Sequence, residues 1–96
     1  MPAYCIADID VTDMPRYQRY REGVGATIEQ YGGRFLVRAN PHEVKEGHWK
    51  PHRLVLIVFP TRAALERWYA SPEYALVAPH RYDSAKTDLV FVDGVD

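Results

Sequence analysis

A few side chains in this sequence could do chemistry, and each has a plainer use beside it. His80 stands next to Pro79 in a helical segment. An imidazole there, titrating near neutrality, could act as a general base, or it could simply be a solvated group set against the helix dipole. Asp8, in an alternating apolar stretch, is the second candidate to move a proton. Arg34 and Arg38 bracket Phe35, Leu36 and Val37. A guanidinium fork suits a carboxylate or an enolate, and Arg38 could steady a developing oxyanion. Charge on an edge strand also serves to block stray strand pairing or to make ion pairs across a dimer. Trp49, Trp68 and Tyr74 could line or cover a pocket. Aromatics at helical spacing, as Trp68 and Tyr74 are, also commonly fill cores. Trp49 falls in a loop and needs something to cover, either a pocket mouth or a partner subunit.

The remaining chemistry is thin. His42, His48 and His52 share one connection, but their spacing matches no ligand pattern, so surface histidines and no metal are expected. No Gly-rich phosphate loop, nucleophile elbow or Cys-x-x-Cys occurs, and no cofactor is expected. Cys5, the single cysteine, lies in an apolar alternating stretch and reads as a buried, inert thiol.

The elements that position these groups follow from periodicity and punctuation. Ala3 to Asp10 alternates between Tyr4, Ile6 and Asp8 on one side and Cys5, Ala7 and Ile9 on the other, the period of a strand. Thr12-Asp13-Met14-Pro15 opens a helix whose stripe runs Met14, Tyr17, Tyr20, Val24, Ile28, Tyr31 and stops at Gly32-Gly33. Gly23 and Gly25 inside it cost about 1 kcal/mol each relative to Ala, which a close approach of another backbone would explain. Arg34 to Ala39 is a second strand, with Phe35 and Val37 opposite Arg34, Leu36 and Arg38. Asn40 to Arg53 is a connection, with a short extended piece expected around Glu43 to Lys45. Leu54 to Phe59, apolar throughout, is a central strand covered on both faces. Thr61 caps a second helix carrying Ala64, Leu65, Trp68 and Tyr69. Ser71-Pro72-Glu73 restarts helix in a new direction, and Pro79 predicts a kink or an end near His80. Leu89 to Val92 is the last strand.

The order β, α, β, β, α, β matches the split βαβ plan. It predicts an α+β, ferredoxin-like domain over residues 1–96, with a four-stranded antiparallel sheet and both helices on one face. The first and third strands are expected to lie parallel at the centre. The other face has no cover within the chain, so pairing with a second copy is expected. With 12 Lys and Arg against 13 Asp and Glu and no charge run, nucleic-acid binding has no electrostatic support. The longest apolar run is far short of the roughly 20 residues that cross a bilayer, and the amino end lacks an export signal, so no membrane and a cytoplasmic address are expected.

The segments Tyr31-Gly32-Gly33-Arg34-Phe35-Leu36-Val37-Arg38, Glu43-Val44-Lys45-Glu46-Gly47-His48-Trp49 and Trp68-Tyr69-Ala70-Ser71-Pro72-Glu73-Tyr74 together resemble one bacterial family, the domain of unknown function 1330. That resemblance implies the dimeric α+β barrel architecture and no agreed catalytic set; relatives in the wider superfamily include cofactor-free monooxygenases and isomerases. Three readings of function follow. The first is a homodimer binding a small anionic or aromatic metabolite in a cavity between the sheet and its helices or its partner. The second is a cofactor-independent monooxygenase- or isomerase-like enzyme using His80 or Asp8 with Arg38. The third is a structural dimer without a ligand. Under the first, Arg34, Arg38, Trp49, Trp68 and Tyr74 form the site. If Cys5, Ala7 and Ile9 lie under the helices, Asp8, Arg34 and Arg38 belong together on the opposite face.

Overall fold

The computed structural model describes residues 1–95. Its elements are β1 (Ala3–Val11), α1 (Met14–Gln30), β2 (Arg34–Arg38), β3 (Leu54–Phe59), α2 (Arg62–Tyr69), α3 (Pro72–Tyr82) and β4 (Ala85–Asp93). The helix starts follow from their caps. The side chains of Asp13, Thr61 and Ser71 accept the amides of Arg16, Ala64 and Tyr74, three residues on in each case. Pro79 does not end α3, which continues to Tyr82. Ala75 and Pro79 are both exposed, so water can serve the carbonyl that a proline nitrogen leaves without a donor. The connection 39–53 contains no strand, and the extended piece expected near Glu43 is absent.

The four strands form one sheet in the order β2-β3-β1-β4, every neighbouring pair antiparallel. β1 and β3 are central as expected, but they run antiparallel, with Ala3 opposite Phe59 and Asp8 opposite Leu54. The connections require this. A crossover helix makes β1 parallel to β2, and β3, returning from β2, fits between them only in the opposite sense.

The helices cover one face. Cys5, Ala7, Ile9, Val55, Ile57 and Phe59 are buried beneath them, with Leu65, Trp68, Ile28 and Tyr74 completing the core. Gly23 permits the α1–α3 approach, since a Cβ there would stand 2.7 Å from Val77 Cγ1. Gly25 has only ordinary contacts, at 4.0 Å from Arg38 and Phe35, so close approach does not account for it. The opposite face carries Tyr4, Ile6, Leu56 and Val58, half-buried, with Val90 and Val92 exposed. The molecule is accordingly a slab, 32 × 32 × 17 Å.

One irregularity changes which side a functional residue occupies. In β2, Phe35 pairs with Ile57 but Val37 pairs with Leu56, so Leu36 is the extra residue of a β-bulge. Side chains beyond it are reversed. Arg34, opposite Val58, stays on the uncovered face as expected, whereas Arg38, opposite Val55, turns under the helices.

Candidate ligand cavity

Between α1 and the sheet lies a narrow cleft. The central strand supplies small side chains there, Cys5 and Ala7, and the helix above supplies Tyr17, Tyr20 and Val24. The cleft's free volume is small, ≈ 30 Å³. That is room for one or two waters or a head group of similar size. Trp68 closes part of the wall, 1% exposed, its ring 5.4 Å from Phe59 and 4.3 Å from Tyr74, and its indole N–H donates to Thr27 Oγ1 at 3.0 Å.

The polar part of this lining is cationic. Arg21, Arg38, Arg53 and Arg81 all contribute, and no carboxylate does. Arg38 lies over the Phe35 ring at 4.4 Å and donates through Nη2 to the Arg21 carbonyl. Arg53 sits 5.5 Å from the Tyr17 ring centroid, and its Nε is buried without a partner. Arg81 is 4% exposed. Its Nη2 donates to Tyr74 Oη at 3.2 Å and its guanidinium lies 5.6 Å from the Tyr20 ring, yet its Nε is again unpartnered, and none of the ion pairs among the described residues involves it. Burying a guanidinium without a counter-charge is costly, and the cost is relieved by an anion. Tyr20 and Tyr74 hydroxyls meet at 2.9 Å. Burial first, and then Tyr74, hold the Tyr20 hydroxyl well above its ordinary pKa, so it keeps its proton. Burial likewise pushes the Cys5 thiol up to about 12, against a smaller opposing pull from Arg81, which leaves it a poor nucleophile.

The family model for the domain of unknown function 1330 matches residues 2–95. The chain belongs to that family. No curated protein matches it. Among solved structures, a protein of unknown function from Rhodopseudomonas palustris, RPA0582, superposes with a TM-score of 0.80 at 16% identity, over 99% of this chain and 83% of that one. SnoaB, a cofactor-independent oxygenase from Streptomyces nogalater, gives 0.67 at 14%, over 99% and 94%. A dimeric ferredoxin-like protein of unknown function from Jannaschia sp. CCS1 gives 0.67 at 13%, over 98% and 100%. At these identities the likeness establishes the ferredoxin-like fold.

Within this member of the 1330 family, the residues singled out from sequence fall in three places. Arg38 and Trp68 line the cavity, and Tyr74 stands directly behind it against Arg81. Arg34 is exposed on the far face of the sheet, and Asp8 is on that face too, so the expected grouping of Asp8, Arg34 and Arg38 is broken by the bulge. Asp8 serves as an anchor there. Its carboxylate accepts the His52 amide at 2.8 Å and the Trp49 indole N–H at 3.0 Å, tying down the arm formed by residues 40–53. Trp49 therefore covers Asp8 while remaining 60% exposed. His80 lies outside the cavity, its Nδ1 accepting from Arg16 Nε at 3.1 Å, beside the Arg16–Asp83 ion pair. A second cleft of ≈ 230 Å³ under the arm is walled by exposed residues of both charges, including the Lys45–Glu43 pair. No group of three or more metal-ligating side chains occurs among the described residues. No helix among them is long and apolar enough to cross a membrane.

The sequence reading missed Arg81, Arg53 and Tyr20. A signal for Arg81 existed, since Tyr74, Ala78 and Arg81 repeat at helical spacing on the buried stripe of α3. A charge on a buried stripe is a stronger pointer than a charge on an edge strand.

Proposed function

We propose that this single-domain protein is a cytoplasmic homodimer that binds a small anionic, aromatic metabolite in the cleft between its sheet and α1. The observation carrying the reading is the cavity lining, in which arginine side chains converge on an apolar slot without a carboxylate to neutralise them. Aromatic and aliphatic walls would hold the body of such a ligand and a guanidinium its charge. The second copy would cover the sheet face opposite the helices, and the dimeric state of the Jannaschia protein of similar fold supports that arrangement. The test is a thermal-shift and calorimetric panel of aromatic acids against their neutral amides. Acids are expected to raise the melting temperature and amides to leave it unchanged, with Arg81→Met weakening the best acid at least tenfold. A panel in which no acid binds would end this reading and leave the structural dimer, which the narrowness of the slot favours.

Catalysis is the second reading. SnoaB, similar in fold, is described as a cofactor-independent oxygenase, and buried donors facing an apolar slot are what an enolate intermediate requires. Turnover of a bound acid or quinol, lost in Arg81→Met with the fold intact, would establish it. Binding without turnover would return the protein to the first reading.

A further inference from the structure

We infer that the Tyr20–Arg81 end of the cavity is a donor-only pole that takes one anionic oxygen group, a carboxylate or phenolate carried on a planar ring. The inference rests on the cavity being the binding site, and it specifies what the ligand presents there. The direction of the buried hydrogen bonds carries it. A guanidinium has no acceptor, so Arg81 Nη2 must donate to Tyr74 Oη. If Tyr74 donates its own proton to Tyr20 Oη across the 2.9 Å contact, every polar group of Tyr74 is satisfied. Were the bond reversed, the Tyr74 proton would be stranded in the core, since Tyr74 is 1% exposed and does not reach the cavity. The favoured arrangement therefore leaves the Tyr20 O–H as the spare donor, and Tyr20 does line the cavity.

A second, independent observation falls at the same place. Arg81 lines the cavity too, is 96% buried, and its Nε–H has no partner. Two unfulfilled donors thus meet one slot, and no carboxylate lines it to receive them. A group that must itself donate, such as an amide NH₂ or a protonated amine, would face these two donors with no anionic acceptor in the lining. An anionic oxygen satisfies both donors and supplies the charge missing beside Arg81. The ≈ 30 Å³ of free room fits a head group of that size. The ring would follow between Val24 and the apolar side chains of the sheet.

The probes are benzoate, 4-nitrophenolate and benzamide, titrated into the intact wild-type protein and into Tyr20→Phe. The wild type is expected to bind at least one of the two anions and to reject benzamide, the stronger anion deciding between carboxylate and phenolate. Tyr20→Phe, which keeps the ring, should weaken that anion about tenfold, and the slowly exchanging hydroxyl proton of Tyr20 should move downfield in the wild-type proton spectrum as the anion is added. The second readout holds even if the variant fails to fold. Anion binding lost in Arg81→Met but unchanged in Tyr20→Phe, with a static hydroxyl resonance, would overturn the donor pole while leaving the cavity as binding site. Benzamide binding as well as benzoate would also overturn it. Binding by neither anion would remove the cavity reading along with it.

Discussion

Asp8 shows how much a single side chain can organise when its charge is nearly buried. Its side chain is 10% exposed, and burial by itself would raise its pKa. The His52 amide, the Trp49 indole and the His52 imidazole outweigh that and hold it below the ordinary carboxylate value. His52 also lies 3.6 Å from both Asp8 and Asp10. The sign of the pH dependence follows. A carboxyl whose folded pKa is lowered adds stability that is complete above its unfolded value, near 3.8, and is lost as the pH falls through the folded one. Asp8→Ala is expected to cost about 2 kcal/mol at pH 7, from two charge-assisted hydrogen bonds. In urea unfolding, the gap between wild type and variant should close below pH 3.8, and Trp49 fluorescence should report a loosened arm. An unchanged gap at low pH would mean that the anchor is packing and not charge. The pairing of Asp8 with Trp49 was not legible in the sequence, because residues 41 apart in the chain leave no periodic trace. That Trp49 needed something to cover was legible.

At the scale of elements, periodicity and caps carried the fold. Tyr4, Ile6 and Asp8 do face away from the helices, Leu54–Phe59 is the strand read from its apolar run, and Asp13 and Thr61 begin their helices. The bulge at Leu36 was invisible, since alternation in five residues reads the same with or without an extra one, and the error it caused is specific: it put Arg38 on the wrong side. The sense of β1 against β3 was misjudged for a different reason, as the connections and not the strands decide it. The turn at the end of α1 shows how tightly these elements meet. Gly32 has a φ of +86°, and a Cβ on Gly33 would come within 2.6 Å of the Phe59 ring and 2.9 Å of Ile28 Cγ2. Gly33→Ala should therefore destabilise the protein by about 1–3 kcal/mol through overpacking. Chemical denaturation measures this, and a neutral result would mean that the Phe59 ring yields freely.

For the whole molecule the decisive quantity is how much apolar sheet is left without a helix over it. Val90 and Val92 are 56% and 44% exposed in β4, and Leu36 is 43% exposed in β2, on the two edges of a face whose centre is Tyr4, Ile6, Leu56 and Val58. Patches of this kind mark association surfaces. Val90→Asp should leave the protomer folded, because the side chain is already largely in water, and should convert the proposed dimer to a monomer in light scattering at micromolar concentration. A variant that remains dimeric would place the interface elsewhere. The Leu36 bulge carries one more consequence, for how this chain tolerates changes of length. Residues 40–48 are all exposed, so insertions or deletions there need disturb little while Trp49 still reaches Asp8. A few positions earlier, the loss of one residue from β2 would swing Arg38 out of the chamber and across to the other side of the ribbon. Relatives should thus keep the count of residues between Phe35 and Arg38 fixed.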